Sequence, residues 1–420
     1  MDQETAQRLY AEGAFLVFLG VPEGTEFGID YNTWEVGPLF KGIKMIPPGM
    51  HFVHFSAVRG CGGKPGGKAE GSGPKSSGAG DRGPWGRETG PRTGFFHEFG
   101  KRELLVRKWD VGMEDAASEE VASDEVERIR ASLKDLDRNL APYPYDTLRR
   151  WVSLSGHVTG SVAARLLPLS GRVCAFAEME PETPSSNSQQ RLALNLPRND
   201  TECSSLQEGE ARLPIMKQRP GTEIRFSELP QHPFPLGASP ADVTRHSLDR
   251  SLALDALLAR HYPQDEHGIL GELQFAFVCF LLGGVYDAFE QWKRLLALLC
   301  GSEAAALSRP RLYRDLIPVL YHQLNEVPRD FFVDIVTRDN FLTSTLQVFF
   351  SILSGADVER SLHQRAAMFK QHLTRKFRWD FDAEPEDCAP VLVVLPDGVV
   401  LPDGVVLPDG VVLPDSVVLG

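Results

Sequence analysis

Residues 24–55, GTEFGIDYNTWEVGPLFKGIKMIPPGMHFVHF, limit the fold more than any other part of this 420-residue chain. Glycine or proline returns every few residues, at Gly24, Gly28, Gly37, Pro38, Gly42, Pro47, Pro48 and Gly49. Short apolar or aromatic pieces lie between them, such as 43–46 and 52–55. Glycine admits positive φ and proline fixes φ, so each of these positions is turn chemistry. No long helix survives such spacing, whereas short strands joined by tight turns do. The glycines do not fall as G-x-G-x-x-G and no Gly-Lys-Ser/Thr follows, so the stretch is not a phosphate loop.

Periodicity extends this strand region on both sides. A short helix is expected over 5–12 and a buried strand over 14–19. Residues 94–98 and 104–109 flank Phe99, Gly100 and Lys101 and read as a hairpin. Ser123 opens a helix whose Val126, Ile129, Leu133, Leu136 and Leu140 form one apolar stripe. Asp146 is expected to cap a second helix bearing Leu148, Trp151 and Val152. These helices close an N-terminal domain over 1–168. Residues 169–220, rich in proline, serine and glutamate, read as a linker. A proline-bounded lead-in over 222–236 follows, then Ser239 as an N-cap with Pro240 at the first helical position.

From there the pattern is helical, over 248–261, 271–282, 285–300, 307–324 with a kink at Pro318, 330–336, 341–353 and 358–377. Gly283 and Gly284 mark one break. Val285, Phe289, Trp292, Leu295 or Leu296, and Leu299 share a face, which is read as core. The expected fold class is α+β: a strand-rich, β-sandwich-like N-terminal domain with closing helices, then an all-α helical array over 221–380 and a tail over 381–420.

Two segments stand apart. Residues 59–92 hold twelve glycines and four prolines, and no Val, Ile, Leu, Met, Phe or Tyr. They cannot build a core and are expected to form a disordered insertion between two strands. Seven basic and three acidic residues give this insertion a charge of +4; a solvated loop is expected, with contact to nucleic acid as the alternative. In the tail, VLPDGV recurs at 394, 400 and 406, and VLPDSV at 412. Four copies with no larger apolar face read as a flexible repeat expansion.

The net charge of −13 argues against a general basic surface for nucleic acid. The six cysteines contain no C-x-x-C pair and read as thiols in a reducing compartment. The N-terminus lacks the pattern of a signal peptide. The most apolar run, 273–282, is about half the length of a membrane span. A soluble intracellular protein is expected.

No catalytic constellation stands out. His51-x-x-His54 is the best metal pair, but in a strand this spacing sends the rings to opposite faces, and no matching ligands complete it. Asp30, Glu35 and Glu23 are candidate paired carboxylates, weighed against surface acids near turns. There is no G-x-S-x-G, H-E-x-x-H or kinase set. No catalytic residue, cofactor or metal is therefore assigned. Lys370, Arg375, Lys376 and Arg378 cluster at the end of the last helix, where basic residues suit the helix dipole.

The 24–55 stretch is similar to the N-terminal core of the A1 cistron-splicing factors, the Aar-two family. The similarity resumes at Tyr143-Pro144-Tyr145, at 221–230 (GTEIRFSELP) and at 271–283 (GELQFAFVCFLLG). It returns at 330–336 (DFFVDIV), 339–350 (DNFLTSTLQVFF) and 376–381 (KFRWDF). This resemblance implies a splicing factor of cytoplasm and nucleus, an assembly chaperone of the U5 small nuclear ribonucleoprotein. It implies binding to the large U5 scaffold protein (Prp-eight) through that protein's RNase H-like and Jab/MPN domains, ahead of the helicase Brr-two. Neither membrane nor small-molecule substrate is implied. The rivals are an RNA-binding module using the basic insertion and a hydrolase with an unrecognised site.

Two groups of tail and loop residues are candidate sites. Val391, Leu392, Val393, Val394 and Leu395 have high strand propensity and are expected to add a β-strand to the partner. Folding back onto the chain's own sheet is the alternative. Ser118 and Ser123, in the acidic run SEEVASDEVE, are candidate phosphorylation sites, and Ser123 is also a candidate N-cap.

Overall fold

The computed structural model describes residues 3–57, 91–117, 121–181, 216–230, 234, 237–328, 341–382, 392–394 and 400–402. Helix α1 (Gln3–Glu12) leads into β1 (Ala14–Leu19). The turn-rich stretch becomes β2 (Glu26–Ile29), β3 (Asn32–Glu35), β4 (Gly42–Ile46) and β5 (Gly49–Ser56). After the 59–92 insertion, which lies almost wholly outside the described residues, come β6 (Arg92–Phe99), β7 (Leu104–Asp110) and β8 (Asp115–Ala116). Helices α2 (Ser123–Ala131) and α3 (Leu133–Leu136), β9 (Leu140–Pro142), α4 (Leu148–Ser155) and α5 (Gly160–Leu166) follow.

Two five-stranded sheets form, in the orders β8-β7-β1-β4-β9 and β10-β6-β5-β2-β3, where β10 is Val173–Cys174. Their facing sides enclose one core of Leu16, Phe18 and Ile43 against Phe27, Val53, Phe55, Phe95 and Phe99. Period-two alternation assigns the other faces. On β1, Phe15 and Val17 point outward and meet Leu104, Val106, Ile129 and Leu140 under α2. The strand AFLVFL is apolar throughout because it is covered on both faces. On the second sheet, Phe52 and Phe96 point outward and belong to the core of the helical array.

That array consists of α6 (Pro240–Leu248), α7 (Ser251–His261), α8 (Gly268–Leu281), α9 (Tyr286–Cys300), α10 (Glu303–Ser308), α11 (Pro310–Glu326), α12 (Phe341–Leu353) and α13 (Arg360–Phe377). Helix α8 is buried almost all round, which explains why its sequence carries no polar stripe. Phe96 stacks on Phe275 at 4.6 Å, so sheet and helices share one continuous core. Hydrogen bonds cross the same boundary: Arg92 Nη1 donates to Leu282 O at 2.9 Å, and Gln274 Oε1 accepts from His157 N at 2.7 Å.

The α+β class is as expected, with local differences. Strands β6 and β7 are not a hairpin. The Gly100–Glu103 turn is tied to the end of α1, with Arg102 Nε on Ala11 O at 2.8 Å, and it delivers β7 to the opposite sheet, parallel to β1. Strand β7 carries apolar residues on both faces, Leu104 and Val106 outward and Trp109 inward, and an interior place covers both.

The helix expected from Ser123 breaks at Ser132, whose hydroxyl returns to the Arg128 and Ile129 carbonyls. Its stripe still faces one core, with Leu140 arriving on a strand. Ser123 is the first helical residue rather than the cap, which is Ala122. Thr147, not Asp146, precedes α4, and Val152 points to solvent at 53% exposure while Trp151 is buried. The 248–261 helix is split at Asp249. Its carboxylate accepts from Ser251 N at 3.0 Å and Glu303 N at 3.0 Å, holding the starts of α7 and α10. The 307–324 helix restarts at Pro310, and Pro318 lies inside α11.

Ser239 caps α6 as expected. The 330–336 helix lies outside the described residues. Within the 169–220 stretch, β10 joins a sheet, and β11 (Met179–Pro181) pairs with β12 (Met216–Gln218).

One glycine is dictated by close approach. A Cβ on Gly42, at φ +139°, would sit 1.9 Å from Leu16 O in the neighbouring strand. The two-residue turn between β2 and β3 uses Asp30 at φ 54°, a conformation that aspartate tolerates.

Candidate partner-binding surface

Asp30 and the two histidines form a closed cluster. Asp30 is fully buried, and its carboxylate accepts from His51 Nδ1 at 2.7 Å, Tyr143 Oη at 2.6 Å and Phe52 N at 3.0 Å. The other ring nitrogen of His51 meets Pro47 O at 2.8 Å. Both ring nitrogens thus face oxygen atoms inside the protein. His54 points to the other face, with Nε2 3.2 Å from Asp30 O. Burial and the nearby Arg92 push its pKa down to about 3, so it is neutral. Tyr143 is raised by burial and by Asp30. Glu23 and Glu35 are exposed while Asp30 is buried, so the three acids do not form a working pair. The cluster instead ties the β2–β3 turn to β5 and to the segment before α4.

A second buried acid, Glu272 on α8, is fully enclosed. Its Oε1 accepts from Ser227 N at 2.8 Å and Gln291 Nε2 at 3.1 Å. Its Oε2 accepts from Arg165 Nη2 and Ser227 Oγ, both at 2.6 Å, and from the Tyr262 hydroxyl. Sequence reasoning passed over this residue. The signal was present: a glutamate inside the most apolar helix costs several kcal/mol unless donors surround it. Burial and the Glu272 carboxylate together raise Tyr262. The network pins the 223–230 segment onto α8 and α9.

That segment walls a cleft of about 920 Å³ with α7 and α9, lined by Phe226, Leu229, Leu257, Arg260, Asp287 and Gln291 among others. A second hollow of about 430 Å³ adjoins it and shares Phe226 and Asp287. At its margin Phe176 and Tyr286 are 70% and 66% exposed.

The order of these parts is that of a known family. Residues 12–168 match the family model described as "AAR2 N-terminal domain", and residues 226–382 match "AAR2 C-terminal repeat region". The chain belongs to the AAR2 family. "Protein AAR2 homolog" of Homo sapiens is 52% identical over 398 residues, covering 95% of this chain and 98% of the relative. The mouse protein of that name shows the same identity and coverage. The Caenorhabditis elegans one is 38% identical over 396 residues, covering 91% and 99%.

Three further places hold the candidate site residues and the basic cluster of the sequence. In the tail, Leu392–Val394 (β13) pairs antiparallel with Val400–Pro402 (β14), with Val393 opposite Leu401. Val391 and Leu395 lie outside the described residues, as does Ser118. Ser123 is exposed at the start of α2, beside Asp124 and Glu125. Of the basic cluster, Lys376 turns inward and donates to Leu324 O and Asn325 O at 2.8 and 2.9 Å, closing the C-terminus of α11. Lys370 pairs with Asp382. Arg375 and Arg378 remain exposed.

Proposed function

We propose that the chain acts in pre-mRNA splicing as a non-catalytic assembly chaperone of the U5 snRNP, in both cytoplasm and nucleus. It binds the RNase H-like and Jab/MPN domains of the U5 scaffold protein Prp-eight and keeps the helicase Brr-two from binding early. Membership of the AAR2 family over nearly the whole chain supports the splicing role. The absence of catalysis in this reading accords with the two buried acids, Asp30 and Glu272, whose donors all come from the protein itself. Differential binding and steric competition are all that the mechanism needs.

The mode of binding rests on one observation. Among the described residues β13 lies in a sheet of two strands, so one of its edges carries no strand. Such an edge accepts main-chain hydrogen bonds from a partner strand, while alternate side chains supply specificity. Val391, Leu392, Val393, Val394 and Leu395 provide the β-propensity for that addition.

The test is a titration of the two scaffold domains with the full chain, with a chain truncated after Asp387, and with Val393→Pro. Each variant should weaken binding at least tenfold, about 1.4 kcal/mol. Normal binding by both removes the tail from the interface. A truncation that lowers the unfolding midpoint of the free protein assigns the tail to its own fold instead.

A further inference from the structure

The two adjoining hollows beside the 223–230 segment have an unusual polar floor. Gln291 is 5% exposed and donates both amide hydrogens inward, to Ser227 O at 3.0 Å and Glu272 Oε1 at 3.1 Å. Both partners are acceptors, which fixes the amide orientation. Its carbonyl oxygen makes no hydrogen bond to a described residue, and Gln291 lines the cleft. A floor that only accepts selects a group that only donates.

The charge at the junction of the two hollows has the same sense. Elsewhere on the rim Arg260 is taken by Glu228 at 3.2 Å and Glu290 by Lys293 at 2.7 Å, while Arg294, exposed one helical turn after Glu290, has no ion-pair partner among the described residues. Asp287, at the junction of the two hollows, has no ion-pair partner among the described residues. Glu223, in the smaller hollow, has none either. The exposed rings of Phe176 and Tyr286 stand at that same end. Carboxylates beside exposed aromatic faces suit a guanidinium, which stacks on rings and forks onto oxygen acceptors. They repel the phosphates of a nucleic acid. The apolar walls, Phe226, Ile224 and Leu229, suit a large side chain next to it. A volume of 920 Å³ lies within the range of about 300–1,000 Å³ that holds bound ligands.

We propose that this groove docks an extended segment of a partner protein in which an arginine neighbours a large apolar residue. The proposal rests on the reading of the chain as a protein-binding factor, but it uses a surface separate from the tail. The guanidinium reaches Asp287 and the Gln291 carbonyl, and the apolar neighbour packs on Phe226.

The probe is a fluorescein-labelled heptapeptide, Gly-Arg-Phe-Gly-Arg-Phe-Gly, titrated against the full chain and followed by anisotropy. Saturable binding is expected, lost when both arginines of the peptide are replaced by glutamate. Asp287→Lys should weaken it at least tenfold and Tyr286→Ser severalfold. Both residues are exposed, so folding is not at issue. Asp124→Lys, the same charge change on α2, should stay within twofold. A chain truncated after Asp387 should bind the peptide as the full chain does, so loss of the tail contact and loss of the groove are told apart. The proposal is overturned by absence of saturable binding, by equal effects of Asp287→Lys and Asp124→Lys, or by equal affinity for the glutamate peptide.

Discussion

Replacing Glu272 by glutamine tests whether the buried carboxylate holds the 223–230 segment in place. The amide keeps one carbonyl oxygen, which can still accept from Ser227 N and Gln291 Nε2. Its NH₂ then faces the three donors now on Oε2, from Arg165, Ser227 and Tyr262. The two hydroxyls can rotate and present a lone pair, but a guanidinium has no acceptor to offer. Arg165 is left against a donor, with its Nε already lacking a partner among the described residues. Breaking a buried pair costs about 3–5 kcal/mol. The Arg165 side chain is 26% exposed, so water recovers part of this. We expect about 3 kcal/mol, the low end of that range. The assay is urea unfolding, read as a lower midpoint at unchanged slope. Adding Arg165→Met to Glu272→Gln removes the conflicting donor and should recover more than about 1 kcal/mol, a coupling typical of contacting residues. A glutamine variant within about 0.5 kcal/mol of the parent, the range of ordinary surface changes, would refute the reasoning.

Three other outcomes are expected. Trp292 is fully buried with its Nε1 on Gln323 Oε1 at 2.9 Å, so Trp292→Ala should cost about 3–5 kcal/mol in urea unfolding. Trp292→Phe should cost about 1–3 kcal/mol, because it leaves Gln323 without its donor. His54 is pushed down from its ordinary value of 6.5 to about 3, so the unfolded chain binds a proton there that the folded chain does not. Its contribution to stability is full above pH 6.5 and is lost as pH falls toward 3, at up to about 1.4 kcal/mol per pH unit. The slope of unfolding free energy against pH should therefore flatten by about one proton in His54→Gln, and identical slopes would exclude the assignment. Ser123, exposed in an acidic run at a helix start, should be phosphorylated in growing cells. Mass spectrometry that finds both Ser118 and Ser123 unmodified removes that site.

Much of the fold was legible because local chemistry and tertiary need agree. Most glycines and prolines of 24–55 mark strand ends, Gly28 inside β2 being the exception, the unbroken apolar run of 14–19 matches a strand buried on both faces, and the stripe of 285–300 is core. Periodicity reports which face is buried, not whether the backbone is continuous, so the stripe from Val126 to Leu140 was read as one helix. The break at Ser132 depends on a side-chain hydrogen bond that competes with the helix, a choice made locally and invisible in the apolar pattern. The β6–β7 step was misread for another reason. Two strands separated by a short glycine-containing turn normally pair, and only the ends of α1 and β1 show that β7 is wanted in the other sheet.

The groove was not legible, and its construction explains why. Its acceptor floor is Gln291, its carboxylates are Glu223 and Asp287, and its rings are Phe176 and Tyr286, drawn from three separated parts of the chain. None stands in a motif, and each reads singly as an ordinary surface or core residue. They meet because Glu272, far from the surface, fixes Ser227 by two hydrogen bonds and Gln291 by a third. A buried charge in an all-apolar helix is a poor means of adding stability, since well-packed apolar residues often do as well. It is a good means of holding two polar groups in one relative position, because each bond is directional and its loss is costly. Gln291 keeps its amide orientation only while Glu272 offers it an acceptor. Glu272→Leu, which removes that acceptor, should therefore disturb the groove as well as the core, whereas Trp292→Phe, buried on the same helix as Gln291, should lower stability and leave the groove's acceptor in place.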